Sequence, residues 1–122
     1  MEPIRVTIFD DNPRVCDAVR MLVSGTEGFV FAGAFENCNH LIQNIETSLP
    51  DVILMDIDMP GMTGIEAVQI IRIKFPAIQI LMQTVFDDDD KIFDAILAGA
   101  GGYILKNTPP AKILESIREV FL

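Results

Sequence analysis

Four stretches of this 122-residue sequence place chemically competent side chains at the ends of apolar runs. Asp10 and Asp11 follow Ile4 to Phe9, and Asp56 follows Val52 to Met55. Thr84 stands near the end of Ile78 to Val85, and Lys106 follows Tyr103 to Leu105. Short β-rich or wholly apolar runs of this kind predict strands buried on both faces. If the strands are parallel, three carboxylates, a hydroxyl and an ammonium converge on one sheet edge. Clustered carboxylates repel one another, and a hard divalent cation relieves that repulsion. Oxygen-only ligation with space for water suits Mg²⁺, with Mn²⁺ as an alternative ion. Such a set suits phosphoryl transfer to Asp56, because a carboxylate nucleophile needs no general base. Catalysis would then be in-line positioning plus charge neutralisation by the ion and Lys106.

The elements that must position these groups can be read in order. Strand one, Ile4 to Phe9, leads into Asn12, a helix cap with Pro13 at the first helical position. Val15, Ala18, Val19 and Leu22 fall at helical spacing, with Gly25 near the end. Phe29 to Ala34 reads as strand two. Leu41, Ile42, Ile45 and Leu49 mark helix two, closed by Pro50. After strand three, Val52 to Asp56, Pro60-Gly61 forces a turn. Thr63 with Glu66 fits a capping box for helix three, which carries Ile65, Val68, Ile71 and Arg72 to about Phe75. Strand four is Ile78 to Val85. Asp87 to Asp90 sit where helix four begins, complementing its dipole, and Ile92, Phe93, Ile96 and Leu97 form its stripe. Gly99, Gly101 and Gly102 break that helix before strand five, Tyr103 to Leu105. Thr108-Pro109 caps helix five, which carries Ile113, Ile117, Val120 and Phe121. Five strands alternating with five helices predict an α/β fold, a parallel sheet covered on both faces through right-handed crossovers.

Composition narrows the function classes. The length suits one domain spanning residues 1–122. A net charge of −9 argues against direct binding of nucleic acid and favours a cation. Cys16 and Cys38 lack CxxC spacing and read as free thiols, and one His with two distant Cys makes zinc improbable. No apolar run is long enough to span a bilayer. With no signal-peptide pattern, a soluble cytoplasmic protein without membrane contact is expected.

Taken singly, each candidate has an ordinary reading. An Asp after a strand is commonly a turn former, Asp10-Asp11 could cap a helix, Thr84 suits a strand by propensity, and Lys106 could be a solvated loop residue. Their placement at successive strand ends carries the functional reading. At that level the sequence resembles the receiver domain of bacterial two-component response regulators. The resemblance rests on Asp10-Asp11, the block from Asp56 through Met59-Pro60-Gly61-Met62 to Gly64, Thr84, and Ala98-Gly99-Ala100 through Gly102-Tyr103 to Lys106. It implies the flavodoxin-like (βα)5 three-layer sandwich, with strand order 2-1-3-4-5. It implies a signalling domain, not an enzyme in its own right, whose Asp56 accepts a phosphoryl group from a sensor histidine kinase. Asp11 and Asp56 would ligate Mg²⁺ with the backbone carbonyl of Asp58, Asp10 acting largely through water. Thr84 and Lys106 would hold phosphoryl oxygens. Movement of Thr84 would let Tyr103 turn inward and remodel the face of helix four, strand five and helix five, with homodimerisation on phosphorylation as a consequence.

The closing Gly101-Gly102-Tyr103 to Pro110 stretch looks most like regulators of the NarL/LuxR type, which control transcription through a helix-turn-helix domain. Such an effector is expected beyond this sequence, a stand-alone receiver being the alternative; DNA binding would belong to that part. Three departures from the family pattern stand out. Val85 follows Thr84 where a small residue is usual, and its branched side chain could narrow access to Asp56. Asn107, not Pro, follows Lys106, so no cis-Pro is implied there. Asp58 and Phe86 occupy the positions that tune acyl-phosphate hydrolysis, Phe86 by shielding the in-line water path and Asp58 by adding a repelling carboxylate.

Other residues are weighed as follows. His40, the sole His, reads as a helix-two surface residue. Met55, Met59, Met62 and Met82 read as packing and loop residues. Arg14 and Val15 would face the kinase by resemblance. Ile92, Phe93 and Ile96 read mostly as core, with an exposed remainder available to a partner. Two rival functions remain: a pseudo-receiver that binds without phosphorylation, and a haloacid-dehalogenase-type phosphatase, for which Asp56-Ile57-Asp58 fits but the order of motifs does not.

Overall fold

The centre of the sheet is a strand that is wholly apolar and buried up to its last residue, Asp56. The computed structural model describes residues 2–85 and 89–122. Its elements are β1 (Ile4–Phe9), α1 (Pro13–Ser24), β2 (Phe29–Phe35), α2 (Leu41–Ser48), β3 (Val52–Asp56), α3 (Gly64–Lys74), β4 (Gln79–Thr84), α4 (Asp89–Ala98), β5 (Gly102–Leu105) and α5 (Pro110–Phe121). The five strands form one parallel sheet in the order β2-β1-β3-β4-β5. This is the flavodoxin-like architecture. β3 lies at the centre and is buried along its whole length, which is why its sequence does not alternate.

Successive side chains of the strands feed two cores. On one face Phe9, Ile53, Met55, Ile80 and Met82 pack with Leu41 and Ile45 of α2, Val68 and Ile71 of α3, and Ala95 of α4. On the other, Val6, Ile8, Val52, Leu54, Leu81 and Ile104 pack with Cys16, Val19 and Val23 of α1 and Ile113 and Ile117 of α5. Helices therefore cover both faces, giving three layers.

Local signals set most boundaries. The Asn12 side chain accepts a hydrogen bond from the Arg14 backbone N–H, with Pro13 inside the first turn. The Thr63–Glu66 capping box is formed in both directions at α3. Gly61 sits at φ 81°, the left-handed conformation that a Pro-Gly turn requires of its second central residue.

Several details differ from the sequence expectation. The buried line of α1 is Cys16-Val19-Val23, and Ala18 faces solvent, because the helix packs one residue around from the predicted stripe. Leu49 is no core residue: it is the left-handed C-cap of α2 at φ 50° and is exposed, while Ser48 turns inward to the Thr7 hydroxyl. Thr108 does not cap α5; Pro109 holds the cap position without a side-chain hydrogen bond, and Pro110 opens the helix. In α4 the buried residues are Ile92 and Ala95, whereas Phe93, Ile96 and Leu97 are exposed, Leu97 at 70%. That helix packs chiefly against α3, and only Ile92 and Ala95 of its apolar residues are turned fully inward. Asp89 and Asp90 lie in its first turn; Asp87 and Asp88 lie outside the described residues.

Candidate functional site

Asp10 arrives from β1 and is fully buried. It is held from three directions. Its backbone N–H donates to the Phe35 carbonyl, its Oδ1 accepts from the Asn12 backbone N–H at 2.9 Å, and its carbonyl accepts from the Cys16 thiol. The helix cap of α1 thus doubles as a support for Asp10, a role that the local Asn-Pro signal does not reveal. Asp11 is exposed beside it. Asp56, at the end of β3, is 5% exposed. Among the described residues Asp10, Asp11 and Asp56 each bring a carboxylate oxygen within 4.8 Å of the others.

Lys106 leaves β5 with its backbone N–H donating to the Thr84 carbonyl. Its Nζ lies 2.8 Å from Asp10 Oδ2 and 3.2 Å from Asp56 Oδ2. One ammonium is therefore shared between two buried carboxylates, with the third acid exposed at the rim. Burial pushes the Asp56 carboxyl up to about 6; Asp10 and Asp11 add to the rise and Lys106 opposes it. For Lys106, burial disfavours the charged form, but its contacts with Asp10 and Asp56 prevail and raise its pKa above the ordinary lysine value. The pocket carries more negative charge than its one cation balances.

That imbalance fits a divalent ion. Around an octahedral Mg²⁺ with oxygens at about 2.1 Å, ligand oxygens stand roughly 3 Å apart when adjacent and about 4 Å when opposite. Three carboxylate oxygens within 4.8 Å come close to that spacing and leave coordination positions for water. The donor set is all oxygen, as Mg²⁺ prefers.

Thr84 ends β4 and is buried at the same edge of the sheet. Tyr103 is 44% exposed on β5. Val85 is exposed. Phe86 lies outside the described residues. Asp58 stands in the loop after β3 with an exposed side chain, and Lys91 of α4 reaches both its oxygens at 3.1 Å. Read from sequence, this carboxylate is a bare charge; the fold supplies a cation from 33 residues away. His40 is exposed just before α2, as expected. Every described peptide bond is trans, including that to Asn107.

Gly64, which closes the motif block that begins at Asp56, has a packing role that sequence reasoning does not reveal. A Cβ there would lie 2.0 Å from the Asp56 carbonyl oxygen and 3.0 Å from the Ile57 Cα. Its N–H donates to the Ile57 carbonyl at 2.8 Å. The first turn of α3 thus presses directly on the backbone that presents Asp56. Beyond its place in that block, the sequence signal for this role is a glycine in a helix's first position, where it weakens the helix unless close approach requires it.

These contacts put an acidic triad, a hydroxyl and a shared lysine at one edge of a 2-1-3-4-5 sheet. The family model described as the response regulator receiver domain matches residues 6–118. The chain belongs to this receiver domain family. Its relatives and structural neighbours include regulators of the NarL and LuxR type. It is 36% identical over 117 residues to YxjL of Bacillus subtilis (strain 168), an uncharacterised transcriptional regulatory protein, covering 96% of this chain and 54% of that protein. It is 30% identical to the nitrate/nitrite response regulator NarL of Escherichia coli (strain K12), covering 97% of the chain and 55% of NarL. Among solved structures, a LuxR-family DNA-binding response regulator from Staphylococcus aureus superposes with a TM-score of 0.89 at 27% identity, covering 98% of the receiver domain and 99% of that chain. The receiver domain spans about half the length of the curated relatives it matches.

Proposed function

We propose that this receiver domain takes a phosphoryl group on Asp56 from a sensor histidine kinase and relays the change to a transcriptional output. The observation that carries this reading is the sharing of Lys106 between Asp10 and Asp56 inside a three-carboxylate pocket. Asp56 presents a buried carboxylate at a strand end, with no base needed. Asp11, Asp56 and the Asp58 carbonyl would hold Mg²⁺, with Asp10 acting through water. When bound, the ion neutralises charge that develops on the transferring phosphoryl oxygens. Lys106 leaves part of its contact with Asp56 to meet a phosphoryl oxygen. Thr84, buried beside the same edge, donates its hydroxyl to another. Tyr103 then exchanges its half-exposed position for the space left by Thr84, which alters the α4–β5–α5 face and favours a homodimer. Asp58 and Phe86 set how long the acyl phosphate lasts. DNA contact belongs to an effector domain outside this sequence, and the cytoplasm is the expected compartment.

The test is incubation with acetyl phosphate or phosphoramidate and Mg²⁺, followed by intact mass. One acid-stable, base-labile phosphoryl group is expected, and Asp56→Asn abolishes it. No adduct, or one that survives the substitution, overturns the assignment and leaves the pseudo-receiver reading in its place. For Phe86→Ala, a phosphoryl lifetime equal to the parent's would remove Phe86 from its assigned role.

A further inference from the structure

The loop after β3 and the first turn of α4 meet at a contact that phosphoryl transfer, as described, leaves unused. Lys91 Nζ lies 3.1 Å from both carboxylate oxygens of Asp58. The two residues are 33 apart in sequence, and their side chains are 42% and 53% exposed. An ammonium equidistant from both oxygens fixes the carboxylate's orientation as well as opposing its charge. Asp58 stands two residues beyond Asp56, in the loop whose Pro60 and Gly61 line a cleft with Asp11. Lys91 is the cation of a helical turn that otherwise carries Asp89 and Asp90.

We propose that Lys91 is a positioning residue of the phosphorylation site: its ammonium clamps the Asp58 carboxylate and so sets the negative potential beside Asp56. The inference rests on the phosphoacceptor reading above. As an ion pair in contact with water, the clamp adds little to folding stability. Its effect falls on whatever approaches the pocket. A clamped Asp58 presents almost no net charge to an incoming anion. A released one adds a full negative charge two residues from Asp56, a backbone separation of at most about 7 Å against a screening length of about 8 Å in physiological salt. Phosphodonors are anions, so release slows their entry. Mg²⁺ is a cation, so release strengthens its binding. The two effects have opposite signs and one origin, which a mere loosening of α4 would not produce. The clamp also ties the first turn of α4 to the site loop, so loading the pocket and moving the helix are mechanically connected.

The experiment compares the parent, Lys91→Met, Asp58→Asn and the double variant in the 122-residue chain. Initial phosphorylation rates are measured with acetyl phosphate and with the less charged phosphoramidate, and Mg²⁺ affinity by calorimetric titration. We expect Lys91→Met to slow acetyl phosphate by about threefold or more at low salt, and phosphoramidate less, with the deficit shrinking at high salt. Mg²⁺ should bind it about twofold tighter or more. Both effects should be much smaller when Lys91→Met is made in the Asp58→Asn background, where the exposed ammonium is no longer held at the edge of the pocket. Rates and affinities unchanged by Lys91→Met overturn the proposal, and so do changes of equal size in the parent and Asp58→Asn backgrounds. If the parent accepts no phosphoryl group at all, the phosphoacceptor reading falls separately. The Mg²⁺ titrations then decide the clamp alone: tighter binding that depends on Asp58 sustains it, and equal binding overturns it.

Discussion

Ionising Asp56, itself almost fully buried, places a third negative charge beside buried Asp10 and exposed Asp11. Its folded-state pKa of about 6 stands above the 3.8 expected of an open carboxyl. A raised pKa means that the folded state favours the protonated form. The associated stability is fully present below about pH 3.8 and is lost as pH rises through about 6. Asp56→Asn should therefore stabilise the metal-free domain at pH 7, by on the order of 1–3 kcal/mol, with the advantage shrinking toward pH 4. Urea denaturation of both proteins at several pH values, with chelator present, reads this difference. Lys106 is the converse case. Lys106→Met removes the one cation shared by two buried acids and should cost about 3 kcal/mol or more in the same assay. Mg²⁺ should restore part of that loss. Asp56 and Lys106 were legible from sequence because strand ends are. The shift in Asp56 was not, since it depends on how completely the pocket excludes water.

At the scale of elements, the abutment of α3 on β3 determines where Asp56 points. Gly64→Ala would put a methyl group 2.0 Å from the Asp56 carbonyl oxygen, a distance no local adjustment of a side chain relieves. The backbone itself must move, so a destabilisation of about 3 kcal/mol or more is expected, with weakened Mg²⁺ binding in whatever folds. Thr63→Ala, one residue earlier, removes a cap and should cost only about 1 kcal/mol. Urea midpoints and Mg²⁺ titrations of the two variants separate a site effect from a helix effect. The capping box was readable because it is a four-residue pattern. The close approach was not, because it involves a backbone presented by a different element. The same limit explains α1, where the spacing of Val15, Val19 and Leu22 was helical but the buried line is Cys16-Val19-Val23. Periodicity establishes a helix and leaves its rotation about its axis to the packing partner.

Across the whole molecule, charge and apolar surface are distributed unevenly. The chain carries −9 overall and gathers three acids at one pocket, so Mg²⁺ should raise the melting temperature in a saturable way that K⁺ at equal ionic strength does not reproduce. Calorimetry of the parent and of Asp11→Asn checks this. On α4, Phe93, Ile96 and Leu97 are exposed while Ile92 and Ala95 are buried. Leu97→Ser should shift unfolding by no more than about 0.5 kcal/mol, whereas Ile92→Ala should cost roughly 2–4 kcal/mol. If that exposed face serves a partner, Leu97→Ser reduces association after phosphorylation while leaving the fold intact; gel filtration of the acetyl phosphate-treated proteins measures it.

By itself the sequence determined the alternation of strands and helices, the two capped helix starts at Asn12 and Thr63, and the placing of Asp10, Asp56, Thr84 and Lys106 at strand ends. Those features are local: a run of apolar residues, a cap and a turn each act over a few positions. Because parallel strands share one carboxyl edge, their end residues could be assigned a common chemistry before any distance was known. Tertiary structure decided what depends on elements far apart in the chain. It joined Lys106 to both Asp10 and Asp56, drove Gly64 against the Asp56 backbone, turned Phe93 and Leu97 to solvent, and brought Lys91 to Asp58. The residues can stand in sequence motifs, but these contacts have no sequence pattern, because each joins elements whose separation and rotation are set by the packing of the two cores.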